Sequence, residues 1–333
     1  MDKTHTNSGV SRRRFFRNSM AMVAAPAGAG LLSRVAFGQQ QPPDGAENLT
    51  IYHEAEIGGE VRGPHVWLRW NNEVLTSYRA HPKQKYPYFY PLAGPVSGLS
   101  MTAETALPWP HHRSLYFSCD RLNRANFWQQ GLDRGQIVST GPRVEQTSET
   151  SAVITDACEW AVPGEAVQMT DERRFEISLQ MPQRWIMDVE IKWNAVEDVT
   201  VTRTNHALFS IRCAPDISTW GGGTLVSSEG NVGEENTYGE PARWCAFYGK
   251  RERAKGEPVE GIALFDHPEN PWEPCPWFTR DYGFMSPMPF QWIEEPWQLP
   301  AGESVNLKYR VVVFAGDPEN AELESLYAHW INA

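Results

Sequence analysis

The feature that most constrains the fold is a strict alternation of apolar and polar residues over residues 185–194. Every second residue from Trp185 to Trp193 is apolar, and the residues between them are mostly polar. A half-buried strand requires this period of two, because successive side chains point to opposite faces of a sheet. Similar segments recur at Arg173–Met181, Val199–Cys213, Gly261–Asp266 and Val305–Phe314. Proline- and glycine-rich turns separate them, so the sequence predicts a mainly antiparallel β protein.

One helix is predicted at the end of the chain. Asp317 is placed to cap it and Pro318 to occupy its first turn. Its apolar stripe consists of Ala321, Leu326, Tyr327 and Trp330. Since no linker-like stretch divides the chain after residue 45, we expect a single large β-sandwich with a C-terminal helix over residues 48–333. Two smaller β-domains are the alternative.

The N-terminal segment has the pattern of an export signal. Three consecutive arginines and two phenylalanines stand within Ser11–Arg17, a weakly apolar stretch follows over Met20–Leu32, and small residues lie at Val35–Gln39. This pattern predicts a twin-arginine signal peptide at residues 1–38 and a linker at 39–47. A basic amphipathic helix is the alternative, which Pro26 and the glycines oppose. We expect a periplasmic or secreted protein.

The charge of the chain limits its partners. The 333 residues carry 30 basic and 41 acidic side chains, a net charge of −11. Without residues 1–38, which hold six basic residues and one acid, 24 basic and 40 acidic side chains remain, a net −16. Nucleic acids and anionic membranes need a basic face, so neither is expected as a partner. No other apolar run approaches the roughly 20 residues of a membrane span, and we expect no membrane insertion after signal removal.

The five cysteines are widely spaced and include no Cys-x-x-Cys pair. Such a set is a poor disulfide framework and a poor zinc site. We expect buried free thiols at Cys119, Cys158, Cys213, Cys245 and Cys275.

The first cluster of chemically capable residues lies within Pro110–Phe117. An imidazole beside a guanidinium, as at His112 and Arg113, suits proton transfer next to an anion. If this segment is a strand, His112 lies on its polar face and His111 on the other, which favours His112. The alternative is that adjacent histidines merely end a strand near solvent.

Two further clusters contain histidines. His206 stands in the strand-like segment Thr204–Leu208, where a hydrogen-bonded structural histidine is the alternative. A buried strand within Ile262–Trp272 runs into a proline-locked loop that carries Asp266 and His267. Loops held at the end of a strand are where binding groups concentrate.

The tryptophan content favours a sugar ligand. The chain has 14 tryptophans, about three times the usual number. Indole faces flanked by amide and guanidinium groups fit a sugar ring, whose C–H face stacks while its hydroxyls need polar partners. For most of these tryptophans, a place in the core is the alternative. The expected substrate-binding residues are Asn126, Trp128, Trp277, Arg280 and Tyr282.

No cofactor is predicted. The sequence has no Gly-rich phosphate loop, no Gly-x-Ser-x-Gly nucleophile elbow and no His-Glu-x-x-His metal helix. Imidazole suits zinc and copper, but the histidines have no regular ligand spacing, so a bound metal is only a minor alternative.

Several blocks resemble the bacterial family called methane oxygenase PmoA, over nearly the whole chain after residue 38. They are Tyr88–Leu92, His111–Arg113, Asn126–Trp128, His267–Pro271 and Arg280–Gly283. The resemblance implies a large β-sandwich similar to that of the sugar mutarotases. It also implies a function on carbohydrates, because proteins of this kind occur beside secreted sugar dehydrogenases and sugar isomerase-like proteins. Those two kinds of protein are the expected pathway partners.

These observations lead to three functional hypotheses. The first is an exported carbohydrate-active hydrolase, lyase or epimerase that uses histidine- and arginine-assisted acid–base chemistry. Its expected catalytic residues are His111, His112, Arg113, His206, Asp266 and His267. The second is a non-catalytic carbohydrate-binding protein that uses the same aromatic residues. The third and weakest is a metal-dependent oxygenase, as the family label implies.

Overall fold

The chain folds into a sandwich of two antiparallel sheets. The structure is a computed structural model, and it describes residues 57–332. The mainly β prediction is confirmed. The strands in chain order are β1 (Ile57–Arg62), β2 (His65–Trp70), β3 (Glu73–Arg79), β4 (Tyr88–Leu92), β5 (Leu115–Leu122), β6 (Ala125–Asn126), β7 (Gln136–Ser139), β8 (Arg143–Thr147), β9 (Ser151–Ala161), β10 (Val167–Gln180), β11 (Arg184–Ala195), β12 (Val199–Val201), β13 (Ala207–Arg212), β14 (Thr224–Ser227), β15 (Trp244–Lys250), β16 (Val259–Asp266), β17 (Trp277–Arg280), β18 (Phe284–Pro287), β19 (Trp297–Leu299) and β20 (Ser304–Ala315).

The first sheet has eleven strands and the second has nine. The first follows the order β1-β2-β3-β4-β5-β13-β18-β17, with β6, β12 and β19 paired at its side. The second follows the order β14-β15-β16-β20-β11-β10-β9-β7, with β8 paired to β9. The α-helices are α1 (Glu234–Thr237) and α2 (Leu323–Trp330), and short 3-10 turns lie at Leu132–Arg134, Pro215–Ile217 and Thr219–Gly221.

The core lies between the sheets and is rich in aromatic side chains. The alternation that predicted a strand over residues 185–194 is that of β11, which pairs with β10 and β20 along its length. From β11, Trp193 reaches Phe117 of the opposite sheet, with 5.9 Å between ring centroids. Large aromatic side chains remove much apolar area from water, which stabilises the sandwich. The fully buried tryptophans in the described residues include Trp128, Trp160, Trp185, Trp193 and Trp277.

The first sheet has a polar outer face. Phe209 of β13 faces the second sheet, where its ring stacks on Tyr309 at 4.8 Å. Phe117 of β5 pairs with Phe209 and shares its face. Because side chains alternate along a strand, Tyr116 and Ser210, which pair with each other one position away, point outward. The site forms on this outer face, where the ring of Tyr116 lies 4.8 Å from that of Trp128.

Two predicted elements have different bounds. The predicted strand Val199–Cys213 is interrupted, because residues 202–206 leave the sheet between β12 and β13. The C-terminal helix begins at Leu323 rather than at Pro318. Asp317 caps a preceding turn, in which its carboxylate accepts a hydrogen bond from the Asn320 amide at 2.8 Å. Glu322 then enters the helix from a left-handed conformation (φ 53°).

Three further predictions concern the cysteines, membrane-spanning segments and the N-terminal signal. The five cysteines are all buried and free, as predicted. Within residues 57–332, no helix is long and apolar enough to cross a membrane. The predicted signal peptide and linker lie outside the described residues.

Candidate functional site

Three histidines converge on the outer face of the first sheet. One ring nitrogen from each of His111, His112 and His206 lies within 4.8 Å of one from each of the others. The ring centroids of His111 and His112 are 4.5 Å apart, and those of His111 and His206 are 6.3 Å apart. Nε2 of His111 and Nδ1 of His112 are buried, and neither has a hydrogen-bond partner among the described residues. We call this group the histidine cluster.

A turn brings the two adjacent histidines into the cluster together. Strand β5 begins only at Leu115, and Ser114 before it has a φ of 58°, which reverses the chain. The backbone N–H of His112 donates to the carbonyl of Trp109 at 3.0 Å within this turn. The strand-face argument that favoured His112 over His111 is therefore wrong, because both rings enter the cluster.

Asp120 positions the third histidine. Nδ1 of His206 lies 3.4 Å from Oδ2 of Asp120. The hydroxyl of Thr204 donates to the other carboxylate oxygen at 2.5 Å, and the backbone N–H of Asp120 donates to the carbonyl of His206 at 2.9 Å. A carboxylate that holds one imidazole nitrogen fixes the orientation of the ring. Nε2 of His206 is the nitrogen left for another partner.

Burial keeps two of the imidazoles neutral. It lowers the pKa of His111 to about 4, and the nearby His206 and Arg113 lower it in the same direction. Burial also lowers the pKa of His112 well below its usual value, with smaller contributions from His111 and Arg212. Desolvation disfavours a charged imidazole, and a second positive charge close by disfavours it further. At pH 7 each of these two rings is therefore uncharged and carries one N–H and one lone pair.

A cavity of about 380 Å³ opens over the histidine cluster. Its aromatic members include Trp109, whose side chain is 48% exposed, and Tyr282, whose ring stacks 6.3 Å from His112. Its polar members include amide and guanidinium groups. The residues that line it are Trp109, His111, His112, Gln129, Asn205, His206, Phe278, Arg280, Tyr282 and Phe284. Aromatic walls with a few convergent polar groups are typical of small-molecule sites.

Buried polar atoms without a partner concentrate beneath this cavity. Residues 57–332 contain fourteen such side-chain atoms, and half of them lie on this one face. They belong to His111, His112, Tyr116, Trp128, Ser210 and Arg212. An unpaired buried donor or acceptor costs about 1–3 kcal/mol, so a group of them calls for a functional explanation.

A larger groove of about 820 Å³ borders the cavity and shares Gln129, Asn205 and His206 with it. Three exposed arginines line this groove, and Asp120 is the one acidic residue among its lining residues. The arginines are Arg121, Arg124 and Arg134. The groove is therefore locally basic in a chain whose net charge is −11.

Lys85 holds the loop that forms one wall of the cavity and of the groove. Its buried ammonium donates to the backbone carbonyls of Asn126 at 2.6 Å, Gly131 at 2.7 Å and Gly135. Burial lowers the pKa of Lys85 to about 8. Three carbonyls gathered on one ammonium fix the path of residues 126–135.

Three predicted binding residues reach the cavity or the groove. Tyr282 and Arg280 line the cavity, and the guanidinium of Arg280 is held by Glu234 at 2.8 Å. Asn126 lines the groove, but its side-chain oxygen already accepts from the backbone N–H groups of Trp128 and Gln129. Asn126 therefore shapes the loop as well as the groove.

Two predicted binding residues are structural instead. Trp128 is fully buried behind the histidine cluster, with ring centroids 5.4 Å from His206 and 6.1 Å from His112. Trp277 is also fully buried, and its N–H donates to the carbonyl of Ala242 at 2.7 Å. The prediction that their indole faces bind a sugar is corrected, because neither side chain lines the cavity or the groove.

Arg113 does not join the cavity either. Its guanidinium lies over the ring of Tyr88, 5.7 Å from the centroid. Arg113 follows His112 directly in the sequence, but the turn before β5 points its side chain away from the cavity. The expected pairing of a histidine with Arg113 at one site is therefore corrected.

Asp266 and His267 lie in a different part of the molecule. Asp266 pairs with Tyr309, so it shares the inner face of the second sheet. Its carboxylate accepts from the amide of Asn270 at 2.6 Å. The ring of His267 packs edge-on against Trp330 of α2 at 4.7 Å. Neither residue lines the cavity, so the expectation that they act with the other histidines is corrected.

Several cavity residues were not among the predicted site residues. Gln129 and Asn205 line the cavity from loops, in which no periodic pattern of apolar residues is present. Asp120, which lines the groove, could have been found, because it continues the outward-facing alternation of Tyr116 and Ser118 along β5.

The fold and the site define a class: a β-sandwich protein with a three-histidine cavity on the outer face of one sheet. Residues 65–328 match the family of unknown function DUF6807, and the chain belongs to that family. No curated protein matches the sequence. The resemblance to the PmoA family stays a prediction.

Among solved structures, the chain is similar to a GH36 alpha-galactosidase, AgaB from Geobacillus stearothermophilus. The identity is 8% and the TM-score is 0.39, over 81% of this chain and 41% of the alpha-galactosidase. The chain thus spans about two fifths of the length of that protein.

Proposed function

We propose that this protein is a carbohydrate-active enzyme and that the cavity over the histidine cluster is its active site. The observation that carries the proposal is the convergence of His111, His112 and His206 at the base of an open, aromatic-walled cavity. Titratable groups with shifted pKa values in a cleft are typical of catalytic sites. We retain export through the twin-arginine pathway as part of this proposal.

The lining of the cavity supports a sugar as the ligand. Trp109 and Tyr282 offer aromatic faces, on which the C–H face of a sugar ring can stack. Gln129 and Asn205 offer both donors and acceptors, which hydroxyl groups require. A volume of about 380 Å³ is in the range of small-molecule sites.

The groove supports an extended and acidic substrate. It shares three lining residues with the cavity, so a chain bound in the cavity can continue along it. The guanidinium groups of Arg121, Arg124 and Arg134 match carboxylates in geometry and charge. We therefore expect uronate-containing oligosaccharides to be better ligands than neutral ones.

The state of the histidines limits the chemistry. The unprotonated His111 and His112 accept a proton or bind an electrophile, but they do not deliver a proton at pH 7. Arg280 is the cation that faces the cavity and can hold an anionic group. Proton abstraction or assisted attack at a sugar carbon, as in a lyase, epimerase or hydrolase, fits this arrangement.

The proposal is tested by a screen of glycosides, oxidised glycosides and uronides for turnover and binding. We expect at least one to be turned over, and His112→Ala to lower kcat/KM for it by about 100-fold or more. The matched control is His329→Ala, since His329 is exposed on α2 and distant in sequence from the cavity residues. This control should retain wild-type turnover.

Two results would overturn the proposal. If the protein binds a glycoside without turning any over, and His112→Ala binds it equally well, the protein is a carbohydrate-binding module with its site elsewhere. If a glycoside is turned over equally by the wild type and His112→Ala, the active site is not this cavity. Circular dichroism of each variant checks that it is folded.

A further inference from the structure

Three imidazoles that meet at one point form a ligand set rather than a proton relay. In a relay, each ring nitrogen hydrogen-bonds to the next group. Here Nε2 of His111 and Nδ1 of His112 are buried and unpaired within the described part of the chain. Their side chains lie beside His206, and one nitrogen of each ring falls within 4.8 Å of the others. A cation shared by the three lone pairs would satisfy all of them.

The spacing suits a transition-metal ion. Zinc–nitrogen bonds of about 2.0–2.1 Å in tetrahedral geometry place ligand nitrogens about 3.4 Å apart. The three nitrogens lie within 4.8 Å of one another, so ligation of one ion requires them to approach by about 1.4 Å or less. Imidazole is a preferred ligand of zinc, copper, iron and nickel, whereas magnesium and calcium prefer oxygen.

Asp120 supplies the support that such sites have. Histidines that bind a metal usually donate their second ring N–H to a carboxylate or carbonyl, which fixes the tautomer. Nδ1 of His206 faces Oδ2 of Asp120 at 3.4 Å, and Thr204 holds the other oxygen of this carboxylate. Asp120 is thus placed as a positioning residue for Nε2 of His206.

We propose that His111, His112 and His206 bind one divalent transition-metal ion, with Asp120 orienting His206. The three side chains leave the side toward the cavity open, and an open coordination position is typical of catalytic rather than structural metal sites. The metal proposal concerns the same cavity as the proposed function, but its evidence is the ligand set alone. With an ion bound, the lone pairs of His111 and His112 would be occupied, and the proton-accepting role assigned to them above would pass to a water molecule or substrate oxygen on the metal.

Zinc binding to the purified protein tests this inference. The protein must carry no histidine tag and must first be treated with a chelator. Titration against a competing chromogenic chelator should show one Zn²⁺ per chain. His111→Gln and His206→Gln should each weaken zinc binding by at least about 100-fold, and Asp120→Asn by about 10-fold or more. Asp120→Glu should recover part of the loss, and His329→Ala should bind zinc as the wild type does.

Spectroscopic measurements test the site without changing any of the proposed ligands. Co²⁺ in place of Zn²⁺ gives visible absorption whose intensity reports a low coordination number. Cu²⁺ should quench part of the tryptophan fluorescence, since the ring of Trp128 lies 5.4 Å from that of His206. Trp128→Phe should reduce that quenching, and the ring of Trp109, 6.0 Å from that of His111, accounts for the remainder. Trp220→Phe, a change at an exposed tryptophan, should leave the quenching unchanged.

Three results would overturn the inference: no stoichiometric zinc binding, zinc binding that survives in folded His111→Gln and His206→Gln, or a Co²⁺ spectrum of an octahedral, water-like site. The two proposals can fail separately. Zinc binding without turnover of any glycoside contradicts only the proposed function, and turnover by a protein that binds no stoichiometric zinc contradicts only the metal site.

Discussion

Asp266 shows how burial sets the behaviour of a single residue. Its carboxyl is buried between the sheets, and burial raises its pKa to about 7, while the amide of Asn270 opposes the shift. The folded chain therefore holds this proton more tightly than the unfolded chain, whose carboxyl titrates near 3.8. The contribution of the Asp266 carboxyl to the free energy of unfolding is therefore fully present below about pH 4. It is lost as the pH rises to about 7, because the buried carboxyl must then ionise.

Asp266→Asn should therefore stabilise the protein at alkaline pH. The amide oxygen keeps the acceptor for Asn270, and the variant has no charge to bury. We expect the free energy of unfolding at pH 8 to rise by about 2–4 kcal/mol, and the gain at pH 5 to be less than half as large. Urea unfolding at both pH values measures it.

Glu319→Gln, at an exposed position, is the control and should change the stability little at either pH. A variant Asp266→Asn that is less stable than the wild type at both pH 5 and pH 8 would contradict this account. In that case the ionised carboxylate would be needed for the fold.

At the scale of elements, the site depends on a loop tied down by one buried lysine. Lys85 precedes β4, and it gathers the carbonyls of residues 126, 131 and 135 on its ammonium. Lys85→Met keeps most of the apolar side chain but removes the three hydrogen bonds. We expect a loss of about 2–4 kcal/mol in unfolding free energy. Amide hydrogen exchange should become faster in residues 126–135 while β11 stays protected.

Lys83→Met is the matched control, because Lys83 is exposed in the same segment. It should leave both stability and exchange unchanged. Equal exchange rates for residues 126–135 in the Lys85→Met variant and in the wild type would show that Lys85 does not hold this wall of the site.

Strands with a regular alternation of apolar and polar residues could be predicted from the sequence. Segments in which the backbone reverses its direction locally could not. The alternation over residues 185–194 depends only on one buried face, so it identified β11. The loop 202–206 breaks a similar pattern and places His206 immediately before the start of β13. The left-handed Ser114 likewise brings both His111 and His112 into one site. Neither reversal has a glycine or proline signal at the position where it occurs.

At the scale of the whole molecule, the site depends on contacts between segments that are far apart in the sequence, and no local sequence pattern indicates such contacts. β5 and β13 are adjacent in the first sheet, with Ala207 opposite Cys119, so His206 lies beside Asp120 of β5. The segment before β5 returns over the outer face, and the ring of His111 there reaches within 6.3 Å of the ring of His206. The tryptophan surplus mostly fills the core, as at Trp193 and Trp277, while Trp109 remains at the cavity. The sequence thus identified three histidines that meet in the structure, His111, His112 and His206, but not the residues that surround them. The export signal and the PmoA resemblance stay predictions.

The most direct test of the central claim is a crystal structure of the protein with a glycoside that it binds. We expect the sugar ring in the cavity, against Trp109 or Tyr282, with one of its oxygens within about 4 Å of a ring nitrogen of the histidine cluster. Acidic groups of a longer ligand should lie along the arginines of the groove. A glycoside bound elsewhere on the sandwich, with the three histidines unengaged, would contradict the account.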